Sequence, residues 1–183
     1  YRYRNTDPST RDGVNYKLIK SNVDIALVNL DRIKWYQTTP QVYVDQIIDG
    51  VYYLLLSQHA PMTEKVVTIV DRMEAVPSFL ATARKNLRKP SPIAVETAKI
   101  NLEQAIQFYK EVGGELMNQF PDRADNILKI STRAREAMND FITFLSEIET
   151  GDADDFAIGK RNYEYLLSNQ HFLEFDSDSL LRI

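Results

Sequence analysis

The sequence predicts an all-α fold, an array or bundle of about seven to eight mostly antiparallel helices. Apolar side chains recur at three- and four-residue steps through long stretches of the chain, which is the period of a helix that buries one face. No stretch keeps the two-residue alternation of a strand for long. Six glycines and seven prolines are few for 183 residues, and this scarcity of breakers favours long helices over many hairpins.

The N-terminal region divides into an arm and a first helix. Residues 1–13 are polar and contain two groups of breakers, so we expect an arm there. Helical spacing then runs over residues 14–36. The predicted apolar face comprises Tyr16, Ile19, Val23, Ala26, Leu27, Leu30 and Ile33. Leu18, Ile25 and Val28 widen that face, which predicts contacts on two sides of this helix.

A second helix is predicted from Pro40 to about Gln58. Thr39 can act as its N-cap, and Pro40 fits the first helical position, where a missing N–H costs no helical hydrogen bond. Its apolar stripe comprises Val44, Ile47, Ile48, Val51, Leu54 and Leu55.

Proline also marks the next two breaks. After a break at residues 60–63, a third helix is predicted over residues 64–76. Pro77 either kinks this helix or divides it from a segment over residues 78–87. The break at residues 89–92 ends this region.

A fifth and a sixth helix follow, and both are long. Ser91 is predicted to cap the fifth helix, with Pro92 at its first position, and Gly113-Gly114 weakens it near its end. The sixth helix begins at Phe120-Pro121-Asp122. Its apolar positions are Ile127, Ile130, Ala134, Ala137, Met138, Phe141, Leu145 and Ile148.

The C-terminal region holds a seventh helix, over about residues 155–169, and then the start of another. Asp176 or Ser177 can act as an N-cap there, with Leu180 and Ile183 in the beginning of an apolar face. One isolated turn is not stable in water, because helix nucleation fixes several residues for one hydrogen bond. We therefore expect the chain to be a fragment of a longer protein, in which residues 14–183 form a single helical domain.

Composition and charge narrow the function classes. The net charge of −4 argues against nucleic acid as a partner, since nucleic acid requires a basic surface. The absence of cysteine removes disulfides, thiolate metal sites and cysteine nucleophiles. No apolar run approaches the roughly 20 residues of a membrane-spanning helix. No signal peptide is visible at the N-terminus, which means little in a fragment.

Neither histidine is predicted to bind a metal. His59 lies five residues before Glu64, a spacing that does not put both side chains on one helix face. His171 and Glu174 have the spacing of two ligands on a helix, but they fall between the seventh helix and the next cap. A zinc site normally needs at least three protein ligands. A histidine at the surface or at a helix end is therefore the favoured interpretation of each.

An acidic cluster suggests calcium binding. It consists of Glu147, Glu149, Asp152, Asp154 and Asp155. A calcium loop of the EF-hand type counted from Asp152 requires an oxygen ligand, a glycine and a glutamate where the sequence has Phe156, Ala157 and Tyr163. That pattern fails. The favoured interpretation is that these carboxylates stabilise the N-terminus of the seventh helix.

A basic run and a group of aromatic residues have similarly plain interpretations. Arg84, Lys85, Arg88 and Lys89 fall at the end of a predicted helix, where the helix dipole favours cations over a role in phosphate binding. Several of the ten tyrosines lie with the one tryptophan between Tyr16 and Tyr53. They could line a cleft with their polar tips, but at helical spacing such residues more often belong to the core.

The sequence predicts no catalytic, cofactor-binding or metal-binding residue. It contains no Gly-x-Ser-x-Gly elbow, no glycine-rich phosphate loop and no His-Glu-x-x-His pair. Nothing places a nucleophile, a base and an orienting group together.

Three stretches nevertheless carry a family resemblance. The first is Arg72-Met73-Glu74-Ala75-Val76-Pro77, continuing through Leu80, Ala83, Arg84, Asn86 and Leu87. The second is Pro90-Ser91-Pro92, followed by Glu96-Thr97-Ala98 and Leu102. The third is Phe156-Ala157-Ile158-Gly159-Lys160, with Tyr163, Leu166, Leu167 and the cap at Asp176-Ser177. With Trp35 before Pro40, this order resembles the N-terminal helical part of the bacterial domain-of-unknown-function family 885, over residues 14–183.

The resemblance implies a parent protein that is metallopeptidase-like. Members of the family look like zinc peptidases in which a His-Glu-x-x-His helix binds the metal, zinc activates water, and the glutamate takes the proton. Many look exported, some as lipoproteins, which implies an extracytoplasmic location and leaves a cytoplasmic one open. In the family that motif lies beyond the matched region. The resemblance therefore implies no cofactor in this chain, with zinc only in the missing part.

We draw one leading hypothesis and two rivals from these observations. The leading hypothesis is a helical scaffold beside a substrate cleft, inactive by itself, whose partners are the remainder of the parent chain and a peptide substrate. It also predicts an exposed apolar strip where the missing part docks. One rival is a self-contained module that binds a helix or peptide in a groove. The other is a bundle that binds a small molecule through its tyrosines.

Overall fold

The computed structural model describes Asp7 and residues 9–182, and in that part of the chain it contains eight α-helices and no strand. The predicted all-α fold is therefore confirmed. The helices are α1 (Arg11–Val28), α2 (Trp35–Thr38), α3 (Gln41–Leu56), α4 (Met62–Asn86), α5 (Pro92–Gln119), α6 (Ala124–Glu147), α7 (Lys160–Asn169) and α8 (Ser177–Leu180).

The chain divides into two compact units. Unit 1 comprises Tyr1–Trp35 with Ala157–Ile183, and unit 2 comprises Tyr36–Phe156. The single domain predicted over residues 14–183 stays a prediction. No helix among those that the structure describes is long and apolar enough to cross a membrane.

Unit 2 is a bundle of the four long helices α3, α4, α5 and α6, in which α3 and α6 each pack against both α4 and α5. Its core is formed by the apolar faces that the sequence predicts for these helices, because burying them removes a large apolar area from water. The largest side chains in the core are Tyr109, Phe141, Ile69, Met73, Leu80, Leu102, Leu116, Ile127, Met138 and Leu145.

Tyr109 of α5 links three helices at the centre of this bundle. Its hydroxyl donates a hydrogen bond to the Ile47 carbonyl of α3, at 2.9 Å. Its own carbonyl accepts a hydrogen bond from the Ser131 hydroxyl of α6, at 3.1 Å. Buried polar groups are stable only when paired, and this pairing fixes how α3, α5 and α6 align.

Pro77 does not divide α4, which is continuous from Met62 to Asn86. The alternative that Pro77 separates two helices is therefore wrong. Proline removes one hydrogen bond from a helix interior. The side chains of Ser78 and Thr82 donate to the carbonyls of Ala75 and Ser78 in the adjoining turns.

Side-chain caps begin α1, α5 and α8, whereas α3 starts at Gln41 after Pro40 and lacks the cap predicted at Thr39. The Ser91 hydroxyl accepts from the Ala94 N–H with Pro92 at the first position of α5, as predicted. The Asp176 carboxylate accepts from the Ser179 N–H at 2.7 Å, so Asp176 rather than Ser177 caps α8. The apolar face predicted to begin in this helix includes Ile183, which lies outside the described residues.

The first helix differs from its prediction at both ends. It starts at Arg11 instead of residue 14, because the Thr10 hydroxyl accepts from the Gly13 N–H and caps it. Most of the predicted arm, residues 1–6 and 8, lies outside the described part. The regular helix ends at Val28 and continues as a π-helical turn, Asn29–Ile33. Lys34 then adopts a left-handed conformation, which is why the helix predicted over residues 14–36 is interrupted.

The seventh helix also starts later than predicted. It begins at Lys160 instead of residue 155, because Gly159 has a φ of +78°, which a right-handed helix does not accommodate. Phe156 is consequently an exposed loop residue. In unit 1, α7 contacts α1, and the buried apolar residues in the part of this unit that the structure describes are Ile25, Val28 and Leu167.

Candidate functional site

A groove between α3 and α4 is the candidate binding site of unit 2. It encloses about 330 Å³, and Tyr109 of α5 forms part of its floor. Apolar walls come from both helices, and polar groups lie along them. The lining residues are Gln46, Ile47, Gly50, Arg72, Ala75, Val76, Phe79 and Tyr109.

Arg72 supplies the positive charge of this groove. Its guanidinium donates to the Gly50 carbonyl of α3, which holds the side chain across the groove. A Cβ at Gly50 would lie 3.6 Å from the Arg72 guanidinium, an ordinary van der Waals distance, so Arg72 packs directly against α3 at this position. A guanidinium has five N–H donors, so one hydrogen bond leaves donors for a carboxylate or a carbonyl of a ligand.

Tyr109 remains protonated at neutral pH. Burial raises the pKa of Tyr109 well above the ordinary tyrosine value of about 10, and the nearby charge of Arg72 offsets only part of that rise. Its hydroxyl hydrogen is already donated to Ile47. Tyr109 is therefore a floor for the groove and not a base or a nucleophile. The groove as lined can bind an anion or a carbonyl that carries an apolar group.

A second cavity lies in unit 1, between α1 and the segment that follows α7. It encloses about 450 Å³ and is lined by Lys17, Lys20, Ser21, Asp24, Ser168, Asn169, Phe172, Leu173 and Glu174. Its charged groups are largely paired within the unit. Lys20 forms an ion pair with Asp24, and that hydrogen bond raises the pKa of Lys20. The ammonium of Lys17 lies 5.0 Å from the centre of the Phe172 ring.

The two histidines lie at the positions that the sequence indicates. His59 is exposed in the loop after α3, and its N–H faces the Ser57 hydroxyl at 3.4 Å. His171 is exposed just after α7, where its N–H donates to the Leu166 carbonyl. The segment from His171 to Glu174 is not helical, so these two side chains do not have the spacing of ligands on one helix face. Among the residues that the structure describes, no three His, Cys, Asp or Glu side chains converge as a metal site would require.

Most of the acidic cluster lies in the loop between α6 and α7, outside the first turn of the helix that it was predicted to stabilise. Because α7 begins only at Lys160, the carboxylates of residues 152–155 lie before its first turn. Asp155 instead accepts a hydrogen bond from the Asp152 N–H, at 2.8 Å. Such local bonds compete with helix formation. The interpretation based on the dipole of the seventh helix is therefore wrong for these residues.

Gly151 anchors this acidic loop against the start of α5. Its N–H donates to the Pro90 carbonyl at 3.0 Å, and a Cβ at this position would lie 2.8 Å from the Lys89 carbonyl. Only glycine permits that approach. The Lys89 ammonium pairs with Glu149 at 2.5 Å across the same junction, at a highly exposed site where an ion pair contributes little stability.

The basic run lies at the C-terminal end of α4. The Arg88 guanidinium donates to the carbonyls of Lys85 and Leu87, at 2.6 and 2.8 Å. These are carbonyls that the helix end would otherwise leave without partners. The Arg84 guanidinium lies over the Phe144 ring of α6. Arg88 thus satisfies carbonyls at the helix end, and Arg84 contacts an aromatic ring of the neighbouring helix.

The aromatic residues between Tyr16 and Tyr53 do not share one environment. Tyr43 is buried, donates its hydroxyl to the Tyr36 carbonyl at 2.6 Å, and accepts from the Asn86 amide at 3.1 Å. Tyr52 and Tyr53 are exposed. Tyr16 and Trp35 belong to unit 1, so they are no part of the bundle core of unit 2.

Sequence reasoning did not identify the groove of Arg72. Arg72, Ala75 and Val76 belong to the first stretch that carries the family resemblance, yet no site was predicted there. Gly50 lies inside a strongly helical stretch, but an isolated glycine in a helical pattern is tolerated and does not by itself indicate a site. Its partner Arg72 lies 22 residues away in the sequence, so only the packing of α3 on α4 reveals the pair.

One side of α1 is the remaining candidate surface. The predicted apolar face lies mostly exposed, at Ile19, Val23, Leu27 and Leu30. Of the residues predicted to widen it, Ile25 and Val28 are buried, whereas Leu18 is 46% exposed. The helix therefore has two apolar sides, and α7 contacts it in unit 1.

Comparisons with known proteins agree on the fold and give no activity. The profile of a family described as "Bacterial protein of unknown function (DUF885)" matches residues 2–183. A solved structure from Shewanella oneidensis, described as "a putative lipoprotein of unknown function", superposes with a TM-score of 0.75 at 20% sequence identity. The match covers 99% of this chain and 35% of that chain, so this chain spans about a third of the length of that structure. At this identity the likeness shows the fold alone. No curated protein matches the chain.

Proposed function

The chain belongs to the bacterial family DUF885, and from that membership we propose that it is the helical scaffold of a longer, zinc metallopeptidase-like protein and is inactive by itself. One observation carries the proposal. A solved structure with this fold has only 35% of its chain in the matched part, while 99% of the present chain is matched. A chain of that length leaves room for a second part that performs the chemistry.

Zinc does not fit the residues of this chain. The described residues bring no three potential ligands together, and zinc sites in enzymes use three protein ligands and one open position. The family resemblance assigns the ligands and the general base to a His-Glu-x-x-His motif, which this sequence does not contain. We therefore place no zinc ligand and no step of peptide hydrolysis on this chain.

The role proposed for this chain is to hold a wall of the substrate cleft. The groove of Arg72 lies on α3 and α4, whose buried faces belong to one close-packed core. A site on rigid helices keeps its geometry better than a site on loops. Arg72 would bind a carboxylate or a backbone carbonyl of the substrate, and Val76 and Phe79 would contact an apolar side chain.

An extracytoplasmic location is part of the proposal. It is supported by the description of the Shewanella oneidensis structure as "a putative lipoprotein of unknown function" and by the family resemblance.

The test compares the parent protein with this chain. The gene that encodes the chain is read beyond Ile183 for a His-Glu-x-x-His motif, and the parent is produced from it. Both proteins are assayed on a peptide mixture with added zinc and with a chelator. We expect chelator-sensitive hydrolysis by the parent and none by the chain alone, and a parent whose motif glutamate is replaced by glutamine should keep zinc but lose activity. Zinc-dependent hydrolysis by the chain alone, or a parent without the motif, would overturn the proposal.

A second candidate function is a self-contained module that binds a peptide in the groove. The observation that favours it is the groove itself, in which an arginine faces apolar walls over a buried tyrosine. In that case the isolated chain binds peptides with micromolar or better affinity and the source gene ends close to Ile183. Binding by the isolated chain together with an inactive parent would favour this candidate.

A further inference from the structure

The exposed side of α1 has the pattern of an interface. Ile19, Val23, Leu27 and Leu30 are exposed by 64%, 53%, 52% and 55%. They follow one another at steps of four, four and three residues, so they form one row along α1 and into the π-helical turn that contains Leu30. Single exposed apolar residues are common on protein surfaces, but a contiguous row of large ones marks a contact with another molecule or segment.

The opposite side of α1 is already occupied within unit 1. Ile25 and Val28 are buried, and the Ser21 hydroxyl donates to the Asn169 carbonyl at the end of α7. Further along, the Arg32 guanidinium donates to the Asn162 side chain at 2.7 Å and lies over the Tyr165 ring. These contacts fix the rotation of α1 about its axis. The row of Ile19, Val23, Leu27 and Leu30 is therefore held in place on the side that α7 does not cover.

The described residues of unit 1 bury little apolar surface of their own. The buried apolar side chains among them are Ile25, Val28 and Leu167, whereas the connected core of unit 2 extends through four helices. A pair of helices with so small a core is stabilised chiefly by what packs against its remaining apolar faces. A covering partner would thus stabilise unit 1 as well as bind it.

The length of the related structure indicates which partner covers this row. The fold of this chain occupies 35% of that structure, so a protein of that length has extensive further chain to pack against its helices. We propose that the row Ile19–Leu30 of α1 is the docking surface for the remainder of the parent protein, which would contribute a complementary apolar groove between helices. This inference rests on the proposed function only for the existence of that remainder, and it requires no peptidase activity.

Cysteine accessibility tests this docking surface, because the chain contains no cysteine. Val23→Cys places a thiol in the row. Leu128→Cys is the matched control, on the exposed surface of α6, where the native residue is 50% exposed compared with 53% for Val23. Each variant is made in this chain and in the parent protein and treated with a maleimide. Modification is measured by mass spectrometry of the peptide that contains the introduced cysteine, so that cysteines elsewhere in the parent do not interfere.

We expect Val23→Cys and Leu128→Cys to react at similar rates in this chain. In the parent, the rate at Val23→Cys should fall by roughly tenfold or more while the rate at Leu128→Cys stays the same. Equal reactivity of Val23→Cys in both proteins would overturn the inference. If Val23→Cys in this chain alone became protected from the maleimide as the protein concentration rises, a second copy of the chain would be the partner, and the inference would also be overturned. Protection in a parent that hydrolyses no peptide would support the docking surface and count against the proposed peptidase.

Discussion

Gly113 of α5 lies so close to Ser131 of α6 that a Cβ at position 113 would be 2.7 Å from the serine hydroxyl and 3.1 Å from its Cβ. The same hydroxyl donates to the Tyr109 carbonyl at 3.1 Å. This close approach lets α5 and α6 pack along their length. It also gives a physical role to a glycine that the sequence identifies only as a weak point in a helix.

The two adjacent glycines of α5 should respond oppositely to alanine. Gly114→Ala meets no atom within 4 Å, so it should stabilise the chain by about 0.5–1 kcal/mol through helix propensity. Gly113→Ala gains the same propensity but must displace Ser131, which costs about 1–3 kcal/mol. Urea unfolding followed by circular dichroism measures both variants. Equal stability of the two variants would show that the α5–α6 contact is looser than described.

Tyr109 should contribute stability that declines in alkaline solution. Because its pKa is raised in the folded state, only the unfolded chain loses this proton near pH 10, and the free energy of unfolding should fall as the pH rises above about 10. Because Tyr109→Phe lacks the hydrogen bond to Ile47, its free energy of unfolding near neutral pH should be lower by about 1 kcal/mol. Its free energy of unfolding should also decline less in alkaline solution, since the titrating hydroxyl is absent. Tyr53→Phe, at an exposed site, is the control and should change neither quantity.

Lys65 of α4 should cap the C-terminal end of α3. Its ammonium donates to the carbonyls of Leu55 and Ser57, at 3.2 and 2.9 Å, where the helix dipole is negative. We expect Lys65→Met to lower the free energy of unfolding by about 1 kcal/mol. Lys110→Met on the exposed surface of α5 should have a smaller effect, as measured by the same urea titration. A Lys65→Met variant as stable as Lys110→Met would contradict the capping role.

The two sides of α1 should differ in how much they contribute to the stability of this chain. Ile25→Ala removes a buried side chain and should cost about 2–4 kcal/mol, seen as faster hydrogen exchange of the α1 amides. Val23→Ala removes an exposed side chain and should change the free energy of opening, measured by the same exchange, by less than about 0.5 kcal/mol. Equal effects would mean that the helix is rotated relative to the arrangement described.

Arg72 should determine the preference of the groove for carboxylates. Peptides with a free C-terminal carboxylate and an apolar last residue should bind more tightly than the same peptides with an amide terminus. Arg72→Met should lower the affinity for the carboxylate peptide roughly tenfold and leave the affinity for the amide peptide unchanged, as measured by calorimetry. Lys129→Met, on α6, is the control for the general loss of a positive charge. No difference between the carboxylate and amide peptides would argue against this use of the groove.

Much of the bundle could be predicted because its causes are local. The apolar period of α6 identifies its buried residues, including Met138, Phe141 and Leu145, since residues three or four positions apart lie on the same face of a helix. The cap at Ser91 with Pro92 was likewise predictable, because the serine hydroxyl and the proline ring act within one turn.

Other features depended on segments that the sequence separates. The start of α7 at Lys160 follows from the backbone of Gly159 and from the bond between Asp152 and Asp155, which a periodicity search does not register. The helix was therefore predicted to start at residue 155, with the other acidic residues just before its N-terminus.

The sequence by itself determined most of the helical segments and which side chains each of these helices offers for burial. Tertiary structure decided which of the two apolar sides of α1 is buried, and it brought Arg72 to Gly50 over Tyr109. The reason is that helix formation and periodicity depend on neighbours within about one turn, whereas burial depends on which distant surface is available to pack. The sequence marked α1 as contacted on two sides; the structure shows one side covered and leaves the row from Ile19 to Leu30 for a partner.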